Sequence, residues 1–218
     1  MTEPVKPRRR YHSPRRQQQA AATRQGILEA AERLFERRGY PATTMEQVAT
    51  EAGVALKTVY VVFATKSGLL RALWDLRLKG DQENAGVVER PWYREVLEEP
   101  DPRRQLRGNA RNARLVKQRI AGVLKVLRSA APVDSEAEAL WRLIQTDFYA
   151  NQRVVVESVA AKGALRPGLE VDRATDILWT LNHPDVWLLL VGERGWTPGQ
   201  WERWFADTAC AQLLGEPG

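Results

Sequence analysis

TTMEQVATEAGVALKTVYVVF, residues 43 to 63, sets two short amphipathic helices around a single glycine, the sequence shape of a helix-turn-helix unit. Thr43 and Glu46 stand at capping-box spacing, in which a threonine hydroxyl takes a free backbone N–H and the glutamate reaches back. A helix is therefore expected from about Thr44. Met45, Val48, Ala49 and Ala52 give that helix one apolar face, and Gly53 ends it by admitting a left-handed backbone. After a corner at Val54, a second helix from about Leu56 turns Val59 and Phe63 inward and leaves Lys57, Thr58, Tyr60 and Val61 pointing outward. Those outward residues are candidates for reading a DNA groove. Two amphipathic helices alone also fit a plain hairpin in an all-α core, so the flanking sequence decides.

Upstream, Ile27, Ala30, Ala31, Leu34 and Phe35 follow the i, i+3, i+4, i+7, i+8 rule, and Gly39 lies just past the end of that supporting helix. Downstream, Thr65 can cap a further helix that starts at Lys66 and carries Leu69, Leu70, Leu73 and Leu76 inward. A lysine in a first turn opposes the helix dipole. It makes sense beside a phosphate, which both the free N–H groups and the ammonium favour; a solvated lysine is the plain alternative.

This order of elements resembles the N-terminal domain of TetR-family transcriptional regulators. The resemblance runs from about Thr23 to Leu76 and rests on Gly39-Tyr40, Thr43-Thr44, Val48-Ala49, Ala52-Gly53-Val54, Thr58-Val59-Tyr60, Phe63 and Lys66. It implies that Thr44, with Thr43 beside it, contacts phosphate at the start of the second helix. It further implies that Leu56, Lys57, Thr58, Tyr60 and Val61 meet the major groove and that Lys66 holds the DNA backbone. Many relatives carry serine near Ala55 and a polar pair where Val61-Val62 stands. Base preference would then lean on thymine methyl groups and on DNA shape, unless the two valines pack inside.

The formal charge of +6 is unevenly spread over the 218 residues. Lys6, Arg8, Arg9, Arg10, Arg15, Arg16 and Arg24 face only Glu3 in the first 25 residues, and the rest of the chain is neutral overall. Residues 1–22 read as a basic arm, disordered when free, in which Arg8, Arg9 and Arg10 would lie along phosphates or in the minor groove; a solubilising tail is the alternative. Residues 23–76 form the helix-turn-helix domain and residues 77–218 a C-terminal helical domain. The arm is not followed by an apolar stretch, and Val186 to Val191 is too short a run to span a bilayer, so a cytoplasmic protein with no membrane partner is expected. Cys210 is the only cysteine, which leaves no intrachain disulfide and no cysteine-rich metal site.

Beyond Leu76 the pattern stays helical, broken by Gly86, Pro91, Pro100 and Pro102, with one short helix around Trp92 to Leu97. A long stripe follows from Arg103 to Pro132, with a possible break near Asn112. Ser135 and Glu138 open another long helix, Asp172 can cap the next, Pro184 starts a shorter one at which His183 reads as a helix-start residue, and Thr197-Pro198-Gln200 begins the last. The fold expected is all-α, without strand-like alternation. Five of the eight tryptophans fall in the last forty residues. The resemblance implies a homodimer made by the last two long helices, and Trp179, Trp187, Trp201, Trp204, Phe205 and Leu213 would suit that contact; an intramolecular core is the alternative. Two reading helices one DNA turn apart then imply a palindromic double-stranded operator.

The resemblance also implies a small, largely apolar effector. Asn112, Trp141, Gln145, Phe148, Tyr149 and Trp179 mix aromatic and polar groups in the way such a pocket requires, although an ordinary core with a polar rim has the same list. No nucleophile with a base, no metal set and no glycine-rich phosphate loop assembles from two histidines and one cysteine, so no catalytic residue, metal or cofactor is assigned. The expected function is a DNA-binding regulator, a repressor released by its effector. The alternative is a DNA-binding module whose C-terminal domain only dimerises or binds a protein partner.

Overall fold

The computed structural model describes residues 14–80 and 87–215. Among these residues ten α-helices run in order: α1 Pro14–Arg38, α2 Met45–Ala52, α3 Leu56–Phe63, α4 Lys66–Lys79, α5 Pro91–Glu98, α6 Pro102–Ala130, α7 Ser135–Ala161, α8 Val171–Leu181, α9 Pro184–Trp187 and α10 Pro198–Leu213. A 3₁₀ turn precedes α5 and a π-helical turn, Leu188–Glu193, follows α9. Among the described residues the one β contact is an isolated bridge between Leu165 and Leu214. No described helix is long and apolar enough to cross a membrane.

Two expected boundaries move. Helix α1 begins at Pro14, not near Thr23, so the second half of the supposed arm is helical. Gln17 to Ala22 is a run of glutamine and alanine, residues with high helix propensity that extend the packed helix outward. The long helix α6 shows no break at Asn112. Arg8, Arg9 and Arg10 lie outside the described residues.

The caps explain the remaining starts and stops. Asp134, not Ser135, caps α7, with its carboxylate accepting the N–H groups of Glu136 and Ala137 at 3.0 and 2.9 Å. A carboxylate at this position also faces the positive end of the helix dipole, which a serine hydroxyl cannot match. Glu170, ahead of the expected Asp172, precedes α8. Thr197 and Gln200 close a capping box at α10, and the His183 Nδ1 accepts the Asp185 N–H at α9, in agreement with the helix-start reading.

The core has two compartments. One joins α1–α4 to the second half of α6 and the start of α7, through Leu34, Phe35, Leu69, Leu70, Leu73 and Trp74 against Ile120, Leu124, Leu127 and Leu140. The other joins the first half of α6 to α5, the end of α7, α8 and α10, around Leu106, Val155, Leu178, Trp201 and Phe205. The apolar interior therefore does not divide at Leu76.

Candidate nucleic-acid interface and effector cavity

Thr44 is the N-cap of α2. Its hydroxyl accepts the Gln47 N–H at 3.2 Å, and the Gln47 side-chain oxygen accepts the Thr44 N–H at 3.1 Å. The capping box is thus one residue later than the Thr43–Glu46 spacing suggested. Thr43 is fully buried, and its hydroxyl donates to the Gly39 carbonyl at 2.9 Å, closing the turn after α1. Both threonines can cap; the one whose hydroxyl has a nearer buried carbonyl goes inward. Thr43 is therefore a turn residue whose side chain presents nothing to a ligand, whereas Thr44 faces outward at a helix start.

Gly53 ends α2 at φ +66°, and its N–H reaches the Ala49 and Thr50 carbonyls. The next helix then presents its outer face as anticipated: Val59 and Phe63 are buried, and Leu56 and Lys57 are exposed with Thr58 half-buried. Tyr60 is 49% and Val61 75% exposed, while Val62 packs on the core. Leaving a valine uncovered forgoes about 1.5 kcal/mol or more of burial, so Val61 is not serving the fold of this chain. Helix α4 crowds close behind: a Cβ on Gly68 would lie 2.4 Å from the Phe63 carbonyl oxygen, so only glycine permits the approach.

Lys66 turns inward. Its ammonium donates to the carbonyls of Tyr40 and Thr43, both at 3.0 Å, and lies 4.2 Å from the Tyr40 ring centroid. Burial lowers its pKa, with the Asp134 charge acting in the opposite sense. In the DNA-free chain Lys66 acts as a staple on the turn after α1, where the Tyr40 carbonyl also accepts the Thr43 N–H. Behind it, the Tyr40 hydroxyl donates to Asp134 at 2.8 Å, and Glu136 accepts from both Thr65 and Ser67. The start of α4 is thereby bonded to the start of α7.

The extra turns of α1 place Arg15 and Arg16, expected in a loose arm, on a helix. Arg15, Arg16, Gln19 and Thr23 line an open groove whose other wall is Thr58 and Val62 of α3. The guanidinium of Arg24 stacks 4.7 Å from the Phe63 ring centroid. The glutamine and alanine run between Arg16 and Thr23 was the sequence signal for this extension.

In the C-terminal half a cavity of about 130 Å³ opens between α4, α6, α7 and Pro184, with Trp74, Leu78, Ile120, Leu140, Ile144 and Phe148 among its walls. Of the six residues anticipated for an effector pocket, Phe148 alone lines it. Asn112 instead donates to the Trp92 carbonyl at 2.6 Å, and Trp141 packs on the first core with the Arg128 guanidinium 5.3 Å from its ring centroid. Gln145 bonds the His183 ring at 3.0 Å, Tyr149 donates to Asp176 at 3.1 Å, and Trp179 stands edge-on to both His183 and Tyr149. Those contacts join α7 to α8 and to the start of α9. Lys117 also stands on the cavity wall, 4% exposed; a lysine within the apolar stripe Ala113, Lys117, Ile120, Leu124 is the sequence signal that marks it.

The expected dimer set is also revised. Trp201, Phe205 and Leu213 are fully buried inside one chain and Trp187 nearly so, with Trp201 stacked on Phe205 at 5.1 Å and edge-on to Trp187 at 5.1 Å. They fill the second core, because large rings that meet within one chain bury more area there than on an open face. Trp179 and Trp204 keep partial exposure. Among the described residues no cluster of three or more His, Cys, Asp or Glu is placed to hold a metal.

Residues 27–73 match the sequence profile of bacterial regulatory proteins, tetR family. The chain is 38% identical over 72 residues to the HTH-type transcriptional regulator AcrR of Shigella flexneri, covering 33% of this chain and 32% of that protein. It is 43% identical over 61 residues to the HTH-type transcriptional regulator TtgR of Pseudomonas putida, covering 28% and 29%. These alignments span about a third of the curated relatives' length. In fold, the chain is similar to NalD, described as the secondary repressor of the MexAB-OprM multidrug efflux pump in Pseudomonas aeruginosa. The TM-score is 0.68 at 23% identity, over 91% of this chain and 100% of that one. It is also similar to SmeT of Stenotrophomonas maltophilia in complex with triclosan, with a TM-score of 0.67 at 19% identity over 89% and 93%. At these identities the structural likeness shows the fold alone.

Proposed function

We propose, since this chain is a member of the tetR family of bacterial regulatory proteins, that it is a transcriptional repressor which grips a palindromic operator as a homodimer and lets go when a small molecule enters the cavity beside α4. The single observation that carries the DNA-binding part is the outer face of α3. Tyr60 and Val61 stand uncovered on a short helix whose other side is locked into the core. Tyr60 supplies a hydroxyl and a ring to base edges, Val61 a pair of methyl groups to a thymine methyl, and Lys57 a cation. Thr44, at the start of α2, and Arg15 and Arg16, at the start of α1, are suited to hold phosphates on either side.

A pair of reading helices one turn of DNA apart requires a second copy of the chain. The outer faces of α8 and α10, with Trp179 and Trp204 half-exposed on them, are the surface we assign to that contact. Effector release follows from α4, which contributes Arg71, Trp74, Asp75 and Leu78 to the cavity and begins at the Lys66 staple. A ligand that prefers a displaced α4 moves Lys66, and with it the carbonyls that hold the α1–α2 turn. Its differential affinity for the two positions sets how far DNA binding weakens. SmeT with triclosan, a fold neighbour carrying a small molecule, supports this reading.

Selecting fragments of the source genome that the purified chain retains tests the proposal. Enrichment of one inverted-repeat sequence, bound by two chains per site, is the expected result. Retention without sequence preference, or binding by a single chain, would overturn it.

A further inference from the structure

One cation in the C-terminal half has no place in the DNA-reading scheme. Lys117 lies in the middle of α6, 4% exposed, and its ammonium donates to the Asn182 side chain at the end of α8. Asn182 in turn donates to Gln152 of α7 at 3.0 Å. The rings of Trp201 and Phe148 flank the Lys117 nitrogen, with centroids at 4.9 and 5.7 Å. Burial is the sole influence on its pKa, with no carboxylate to offset it, and brings the ammonium down to about 7. A buried lysine without a counter-ion is costly, and a methionine of similar length would fill the same space at no electrostatic penalty.

Lys117 and Phe148 both line the 130 Å³ cavity, whose other walls include Trp74, Ile120, Leu140 and Ile144. An apolar cavity of roughly 150 Å³ accommodates one benzene ring. The space therefore suits a single ring or an acyl group of that size, held by transfer from water. Asp75 and Asp147 also lie on the wall. Asp147 is exposed and the Asp75 side chain 45% exposed, the latter 4.0 Å from Arg71, so water screens both acids in a way it does not screen Lys117.

We propose that this cavity takes a compact organic acid, a monocyclic carboxylate or one of similar size, with its apolar body against Phe148, Ile144 and Leu140 and its carboxylate on the Lys117 ammonium. The inference rests on reading the cavity as the effector site and deepens that reading by naming the ligand class. The acid supplies the counter-ion that the fold omits, in a dry setting where a charge-assisted hydrogen bond is strong.

Calorimetric titration of the full-length, DNA-free protein with benzoate and cyclohexanecarboxylate, each against its own amide, tests it. The amides keep size and shape and lose the charge. Both acids should bind at least about tenfold more tightly than their amides, and Lys117→Met should lower acid affinity by about the same factor while leaving amide affinity within about twofold. Amides that bind as well as the acids, a Lys117→Met chain that keeps full acid affinity, or no binding of either acid at millimolar concentration would overturn it. The acid–amide comparison needs only the natural chain, so it stands even where the variant fails to fold. Since no DNA is present, failure here leaves the operator reading intact, and failure of operator binding leaves these titrations interpretable.

Discussion

Tyr40 and Asp134 lie 94 residues apart in the chain and share a hydrogen bond of 2.8 Å, from the tyrosine hydroxyl to the carboxylate that starts α7. The same tyrosine carries the Lys66 ammonium over its ring and on its carbonyl. The turn after α1, the start of α4 and the start of α7 therefore meet at one buried ring. Tyr40→Phe removes the hydroxyl and nothing else. It should cost about 1–2 kcal/mol of stability, read as a lower urea midpoint at unchanged slope.

Acid should act at the same place. The Ala137 N–H, then the Tyr40 hydroxyl and the Glu136 N–H, hold the Asp134 carboxyl below the usual carboxylate range. A carboxylate depressed in the folded state adds stability that is present above its unfolded pKa, about 3.9, and is lost as pH falls through the folded value. Asp134→Asn should therefore trail the natural chain near neutral pH and converge with it in acid. A gap that persists unchanged to about pH 2 would refute this.

On the reading helix, Tyr60→Ala should weaken operator affinity by about 1–3 kcal/mol, roughly fivefold to a hundredfold, with no change in thermal midpoint. Fluorescence anisotropy against the selected operator measures the first and circular dichroism the second. Half of the Tyr60 surface is already in water, so the fold has little to lose.

Lys66 separates a structural cation from a DNA contact. Lys66→Met should lower the melting temperature, because it removes the ammonium bonds to the Tyr40 and Thr43 carbonyls, while the salt dependence of DNA binding keeps its slope. A direct phosphate contact would instead reduce that slope by about one.

What the sequence revealed, and what it hid, divides along a physical line. Periodicity and glycine placed α2 to α4 almost to the residue, since Val48, Val59 and Phe63 have one apolar side each and Gly53 has one tolerable role. The choice between Thr43 and Thr44 stayed hidden, because both carry the same hydroxyl and only the turn geometry at Gly39 decides which goes inward. The tryptophans of α10 were visible as large buried rings, but composition does not say whether a ring is covered by its own chain or by a copy. The cavity depended on where α4 crosses α6 and α7, which no local pattern encodes.

Trp201 and Trp204 test that last distinction. Trp201→Ala should destabilise the chain by about 3–5 kcal/mol as a core truncation. Trp204 packs only in part on that core, so Trp204→Ala should cost less stability than Trp201→Ala and shift the monomer–dimer equilibrium toward monomer in sedimentation equilibrium.

Lys117→Met should raise stability near neutral pH by about 1–4 kcal/mol, the range seen when buried ionic groups are replaced by well-packed apolar ones. A lysine whose folded pKa is depressed to about 7 weakens the fold in full below that value. The penalty fades as pH climbs toward its unfolded pKa, about 10.4, where the unfolded chain gives up the same proton. The advantage of the variant should shrink over that window in a series of denaturant titrations.

Leu69, Leu70, Leu73 and Trp74 on α4 bury themselves against Ile120, Leu124 and Leu127 of α6. A fragment cut after Lys79 would leave those side chains bare, so helices α1–α4 are no portable module that could be grafted onto another protein. Helices α1–α4 and the rest of the described chain should melt in one cooperative step. Under the proposed effector release, a ligand in the cavity would act by repacking one shared interior, with no hinge between.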